Sequence, residues 1–142
     1  MVAPSKPADP RRSAVPENLR AARLCHDHLA GQLGTDVSAR LLERGWIVRH
    51  DDAHTAYDVT AAGERAFAVI GIDVTALRGA RRRFAYGCMD WSERRPHLAG
   101  ALGAALAERC LALGWLARQK HSRALTLTDA GVAGLRAWLV SE

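Results

Sequence analysis

The chain has 142 residues, 49% hydrophobic and 25% charged, with a net charge of +5. This is the composition of an ordinary globular protein, enough for one compact domain or two very small ones. It excludes a membrane-spanning helix, since no apolar run approaches the roughly 20 residues needed, and the opening MVAPSKPADPRRSAVPE lacks the apolar stretch of a secretory signal.

Four of the five prolines (Pro4, Pro7, Pro10 and Pro16) fall in residues 1–16, which are expected as a disordered arm. The chain then says nearly the same thing twice. Residues 28–46, HLAGQLGTDVSARLLERGW, return as residues 97–115, HLAGALGAALAERCLALGW, with 10 of 19 positions identical. The segment ending TAAG (60–63) returns as TDAG (128–131). Such self-similarity fixes the architecture before any element is assigned. In each copy a helix is expected up to Leu-x-Gly, then a second short helix (35–44 and 104–113). Val37, Leu41 and Leu42 share one face of the first copy, and Leu106, Cys110 and Leu111 one face of the second. Gly45 and Gly114 stand where a left-handed glycine stops a helix. Trp46–Val48 and Tyr57–Val59 flank a polar turn (Asp51, Asp52, Ala53, His54), and Trp115–Leu116 and Leu125–Leu127 flank another at 120–123. Alternation about a polar turn predicts hairpins. Thr60 and Thr128 are the expected N-caps of closing helices that bury Phe67, Ile70, Leu135 and Trp138.

The predicted fold is α+β: two tandem winged-helix-like repeats, each helix–helix–β-hairpin–helix, over residues 17–70 and 91–142, with a basic linker at 71–90. Neither repeat has enough large apolar residues for its own core, so the two are expected to pack together. Residues 78–95 hold Arg78, Arg81, Arg82, Arg83, Arg94 and Arg95 against Asp90 and Glu93, a net +4. A basic stretch of this kind contacts phosphate or lies solvated beside carboxylates. The helix before each wing is not basic and lacks the side-chain pairs that read base edges. The DNA-phosphate candidates are therefore Arg78, Arg81, Arg82, Arg83, Arg118, Lys120 and Arg123, making weak, salt-sensitive contacts.

The three cysteines, Cys25, Cys88 and Cys110, are an odd number without zinc-finger spacing, which suits a reduced, cytoplasmic setting. The densest set of coordinating groups is Cys25-His26-Asp27-His28, with Cys25 and His28 one helical turn apart. Cys88, Asp90 and His97 form a second set, and Cys-x-Asp occurs in both. The candidates for a ligand or metal are Cys25, His28, Cys88, Asp90, Trp91 and His97. Cysteine, histidine and aspartate suit zinc, and thiolate with imidazole also suits copper or haem iron. The competing reading makes His28 and His97 structural, since duplication places both at the same turn. Cys110 is equivalent to Leu41 and is expected in the core. The segment Asp90–His97 has no counterpart in the first copy. Its Trp91, Arg94 and Arg95 are candidates for holding an anionic effector or a partner, while Asp90 and Glu93 also fit a capping box ahead of a helix begun near Pro96. No Gly-rich phosphate loop, G-x-S-x-G or H-E-x-x-H is present, so an enzyme is not expected.

The stretches LRAARLCHDHLAGQLG (19–34), LLERGWI (41–47), VTAAGERAF (59–67), GIDVTALR (71–78), CMDWSERRPHLAGALGAAL (88–106) and SRALTLTDAG (122–131) resemble one branch of the ArsR family of bacterial winged-helix transcription regulators. The likeness is to the C-terminal extension of that branch, without its N-terminal helix-turn-helix and without the paired-cysteine segment of arsenic and zinc sensors. The resemblance implies a sensor and dimerisation part of a transcription regulator, acting by binding a ligand, a partner subunit or DNA. Its implied partners are a second copy of the chain or a separate helix-turn-helix subunit. The alternatives are a metal- or haem-binding module without direct DNA binding, and a purely structural interaction domain.

Overall fold

The computed structural model describes residues 15–50 and 56–141. The arm through residue 14 and the turn Asp51, Asp52, Ala53 and His54 lie outside the described residues. The elements in chain order are α1 (Glu17–Ala21), β1 (Arg23–Cys25), β2 (His28–Ala30), α2 (Gly31–Glu43), β3 (Ile47–Arg49), β4 (Tyr57–Val59), α3 (Ala61–Val69), α4 (Val74–Arg78), β5 (Tyr86–Met89), β6 (Pro96–Ala99), α5 (Gly100–Ala112), β7 (Leu116–Arg118), β8 (Leu125–Leu127) and α6 (Asp129–Leu139). The strands form four antiparallel pairs, β1–β2, β3–β4, β5–β6 and β7–β8.

The class is α+β, and the second half of each repeat follows the sequence pattern. Thr60 accepts from the Gly63 amide at 3.1 Å and Thr128 from the Gly131 amide at 2.9 Å, capping α3 and α6. Gly45 and Gly114 take positive φ after α2 and α5. The first half differs. In place of two helices, each repeat has a β-hairpin followed by one helix of 13 residues, so its order is hairpin–helix–hairpin–helix. The cause lies in the duplicated HLAGxLG. Gly31 has φ +79 and Gly100 φ +82, a left-handed corner that no helix passes through. A Cβ on Gly31 would sit 2.7 Å from the Arg20 carbonyl oxygen, and one on Gly100 2.7 Å from that of Phe84. At Gly34 and Gly103 a Cβ would lie 2.5 Å from the Leu29 and Leu98 carbonyl oxygens, so the missing side chains let each helix fold back on its own strand. HLAGxLG is thus a strand-to-helix corner. Pro96 correspondingly opens β6 and not a helix.

The strands also gain partners from the opposite repeat, which outweighs local helix propensity. The Leu24 amide donates to the Arg123 carbonyl and the Leu125 amide to that of Ala22, each at 3.0 Å, which seats β8 on β1. Reciprocally, the Tyr57 amide donates to the Ala85 carbonyl at 3.1 Å, seating β4 beside β5. Helix α2 packs across β6, α5 packs across β2, and β2 meets β6. The helix preceding each wing is therefore occupied in holding the other repeat.

One apolar cluster results, running from Ala22 to Trp138 and including the fully buried Leu41, Phe67, Leu102, Leu116 and Cys110. Trp138 of the second repeat packs at a tilt against Trp46 and Phe67 of the first, with ring centroids 5.2 and 5.5 Å away, and its Nε1 donates to the Ala66 carbonyl. The stretch expected as a linker, 71–90, carries structure of its own, and its last part, β5, is the first strand of the second repeat's opening hairpin. Asp73 caps α4, and β5 pairs with β6. Arg78 is drawn back onto Glu64, Asp58 and the Val59 carbonyl.

Gly45 has φ +67 with open space around its absent side chain, whereas Gly31 has the same hand of φ and a carbonyl in the way. Gly45→Ala is expected to cost about 1 kcal/mol, and Gly31→Ala at least about 2 kcal/mol, for strain plus displaced backbone. Urea denaturation of the two variants checks this order.

Candidate metal centre

The two hairpins that precede α2 and α5 place four potential donors together. Cys25 and His28 are directly opposed across β1–β2, and Cys88 and His97 across β5–β6. The cysteine-to-histidine separations of three and nine therefore describe the same cross-strand pair. Only the connection differs, a two-residue turn in the first hairpin and, beyond one further strand pair (Met89 with Pro96), the longer 90–95 loop in the second. Because the hairpins meet at β2 and β6, the Sγ atoms of Cys25 and Cys88 and the ring nitrogens of His28 and His97 all lie within 4.8 Å of one another. Both histidines are buried and both cysteines half-buried. Two donors come from each repeat, and the like residues His28 and His97 face each other, with Nε2 to Nε2 at 3.1 Å.

Cys-x-Asp is duplicated with a common geometry. The Asp27 Oδ1 lies 3.4 Å from His28 Nδ1, and the Asp90 Oδ1 lies 3.1 Å from His97 Nδ1. Each histidine is thus backed by the carboxylate two residues beyond its own repeat's cysteine. Asp27 is held below the usual carboxylate range, first by the hydrogen bond from Arg82 at 2.6 Å, against a smaller opposing effect of burial. For Asp90, burial pushes the carboxyl up. The hydrogen bonds from His97, from the Gly31 and Glu93 amides and from Ser92 outweigh that and hold it far below its ordinary value. An ionised carboxylate beside each Nδ1 favours the tautomer that donates from Nδ1. With both rings in that form each Nε2 presents a lone pair to the centre, where the two nitrogens lie 3.1 Å apart; with one ring in the other tautomer the same distance is an N–H···N hydrogen bond. His28 is itself held below the usual imidazole range by burial and by the charge of His97, which keeps it neutral.

In the form with both Nε2 atoms unprotonated, the two lone pairs repel unless a cation lies between or beside them. A tetrahedral zinc ion with Zn–N bonds of about 2.0–2.1 Å separates two nitrogens by about 3.3 Å, and two thiolates by about 3.8 Å. The donor set fits a tetrahedral Cys2His2 ion with carboxylate-backed histidines. It does not fit haem: a porphyrin held by both imidazoles would need its plane between nitrogens that are already in contact. The Cys88 thiol is pushed up by burial and by the adjacent Cys25. The nearby arginines do not lower it: Arg82 pairs with Asp27 and Arg83 lies over the Tyr86 ring at 4.2 Å. Cys110 is buried in the core as its equivalence to Leu41 predicts, its thiol pushed up to about 12 by burial.

Asp90 and Trp91 stand one layer out. Asp90 is fully buried and accepts from Arg23 Nη2 at 2.9 Å and the Gly31 amide at 2.8 Å through Oδ1. Its Oδ2 takes the Ser92 amide, the Ser92 hydroxyl and the Glu93 amide at 3.0, 2.8 and 2.9 Å. The Glu93 amide contact is one half of the predicted capping box; the other half is not formed, since the Asp90 amide donates to the Arg95 carbonyl at 2.9 Å and closes a loop where a helix was expected. Trp91 is 56% exposed, and the Arg23 guanidinium lies 4.3 Å from its ring centroid. Arg95 bonds Thr35 and Asp36, tying the loop to α2, and Arg94 stands at φ 59 in the turn. Sequence reasoning missed Arg23, a buried cation whose only signal was an arginine inside an otherwise apolar segment. All seven phosphate candidates are exposed; among them Arg78 and Arg82 pair with surface carboxylates and Arg123 bonds the Leu24 and His26 carbonyls.

Over 121 residues, 85% of this chain, the sequence is 40% identical to a Bacillus subtilis (strain 168) protein called "Uncharacterized HTH-type transcriptional regulator YdfF". The chain spans 52% of that protein's length. No protein-family model matches the chain, and no solved structure does.

Arg23 and Asp90 are 4% and 0% exposed in their side chains. Asp90→Asn is therefore expected to destabilise the chain by about 3–5 kcal/mol, because it leaves a buried guanidinium without its counter-charge. Chemical denaturation measures it, and a loss under about 1 kcal/mol would contradict the assigned network.

Proposed function

We propose that this chain is the metal-binding sensor part of a transcription regulator of the helix-turn-helix, ArsR-like type. It holds one transition-metal ion, zinc by ligand set, on Cys25, His28, Cys88 and His97. The observation that carries the reading is the convergence of the Cys25, His28, Cys88 and His97 donor atoms, all within 4.8 Å of one another, with a carboxylate at the Nδ1 of each histidine. The likeness to the Bacillus regulator supports the transcriptional setting, as does the resemblance of the quoted segments to the ArsR extension.

The ion supplies a cross-link between repeats. Two of its ligands belong to the first hairpin and two to the second, and each hairpin carries the other repeat's helix. Binding thus fixes the relative position of the two halves, and loss of the ion frees it. DNA is read by a helix-turn-helix on the same polypeptide or on a separate subunit, whose placement follows the packing of the halves. Helices α2 and α5 are committed to the interior, so direct contacts from this chain are confined to phosphates and are weak in salt. Catalytic turnover is not part of the reading.

Elemental analysis of the purified chain should find about one equivalent of zinc, and a hundredfold excess over the dissociation constant should add about 2.7 kcal/mol to its stability. Cys25→Ser and His97→Ala should fall below about half an equivalent, while Cys110→Ser keeps its metal. Wild-type protein with less than about half an equivalent after exposure to zinc would sink the proposal.

A further inference from the structure

The two thiols at the centre differ from the third in ways that metal binding alone does not use. Cys25 and Cys88 come from different repeats, and their sulfurs lie within 4.8 Å. Both are half-buried, not sealed. Cys25 also lines an open cavity of about 410 Å³ walled by Leu19, Arg23, Trp91, Ser122 and Arg123, which brings solvent and small solutes to this residue. Cys110 is fully buried among apolar side chains. One chain thus holds a reachable pair of neighbouring thiols and an enclosed thiol that serves as an internal control.

We propose that Cys25 and Cys88 form a site of oxidative modification, at which a peroxide converts the pair to a disulfide joining the two repeats and displaces the bound metal. The displacement rests on the metal-centre reading; the disulfide rests on the thiol pair itself.

The chemistry needs only the peroxide. The Cys25 thiolate attacks one peroxide oxygen; an S–O bond forms, the O–O bond breaks, and the departing hydroxide is protonated to water. The Cys88 thiolate then attacks the Cys25 sulfur; the S–S bond forms, the S–O bond breaks, and a second hydroxide leaves and is protonated. The two sulfurs lose two electrons in total and the peroxide becomes two waters. The ion keeps only the imidazoles of His28 and His97, short of the four ligands that close a structural zinc site, and departs.

The test uses the full chain in two aliquots, zinc-loaded and metal-free, each treated with hydrogen peroxide. Remaining thiols are alkylated, cysteine peptides are mapped by mass spectrometry, and a chromogenic chelator reads released zinc. The expected result is a Cys25–Cys88 linked peptide, an intact mass lower by about 2 Da before alkylation, and Cys110 fully alkylated. About one zinc should be released per disulfide in the loaded aliquot. Recovery of all three cysteines as alkylated thiols, or a disulfide involving Cys110, would overturn the inference. If zinc does not bind at all, the metal-centre reading fails while the metal-free aliquot still decides the disulfide.

Discussion

A carboxylate with no access to water must find all its partners inside the protein, and Asp90 is such a group. It finds them in three places at once. Arg23 comes from the first hairpin, the Gly31 amide from the corner where that hairpin becomes α2, and His97 from the second hairpin. The loop 90–95 closes around its second oxygen through Ser92 and Glu93. The set is interdependent: the first corner, the second hairpin and the His97 tautomer are fixed by one charge. Charge-assisted bonds of this kind are the stronger class of hydrogen bond, and their loss is costly because the partners are left buried.

Around that charge the two copies of the repeat are exchanged. Each first hairpin receives the return strand of the opposite wing and supports the opposite helix. This is why the apolar cluster is single and why Trp138 is satisfied by a carbonyl from the other repeat. The arrangement also accounts for what the repeat conserves internally. In HLAGxLG the histidine faces its counterpart, Leu29 and Ala30 enter the interior, the first glycine turns the corner and the second lets the helix approach.

Much of this was legible in the sequence, and the reasons for the rest are physical. The hairpins β3–β4 and β7–β8, their capped closing helices and the burial of Phe67, Leu135 and Cys110 follow from alternation, threonine capping and the offset between copies. The first hairpin of each copy did not show itself. LRAARLCHDHLA has good helical propensity, and the strand partners that override it lie about a hundred residues away. The donors Cys25, His28, Cys88 and His97 were picked out by residue type and by the duplicated Cys-x-Asp; only the helical turn expected between Cys25 and His28 does not exist. They are neighbours because both cysteine–histidine pairs are cross-strand partners, so unequal separation in sequence becomes equal separation in space. Trp91 was singled out correctly as unmatched in the first copy, yet its evident contact is with Arg23.

The meeting of His28 with His97 has one more consequence. Contact between equivalent residues is the mark of a two-fold axis, which ordinarily relates separate molecules. Here the axis runs through one polypeptide, and residues 71–85 tie its halves together. An interface of this form between free subunits would assemble only above a threshold of protein concentration. Tethered, it forms at an effective concentration set by the connecting segment. A metal centre of the proposed kind, built across it, would fill in proportion to the ion, whatever the number of copies of the protein.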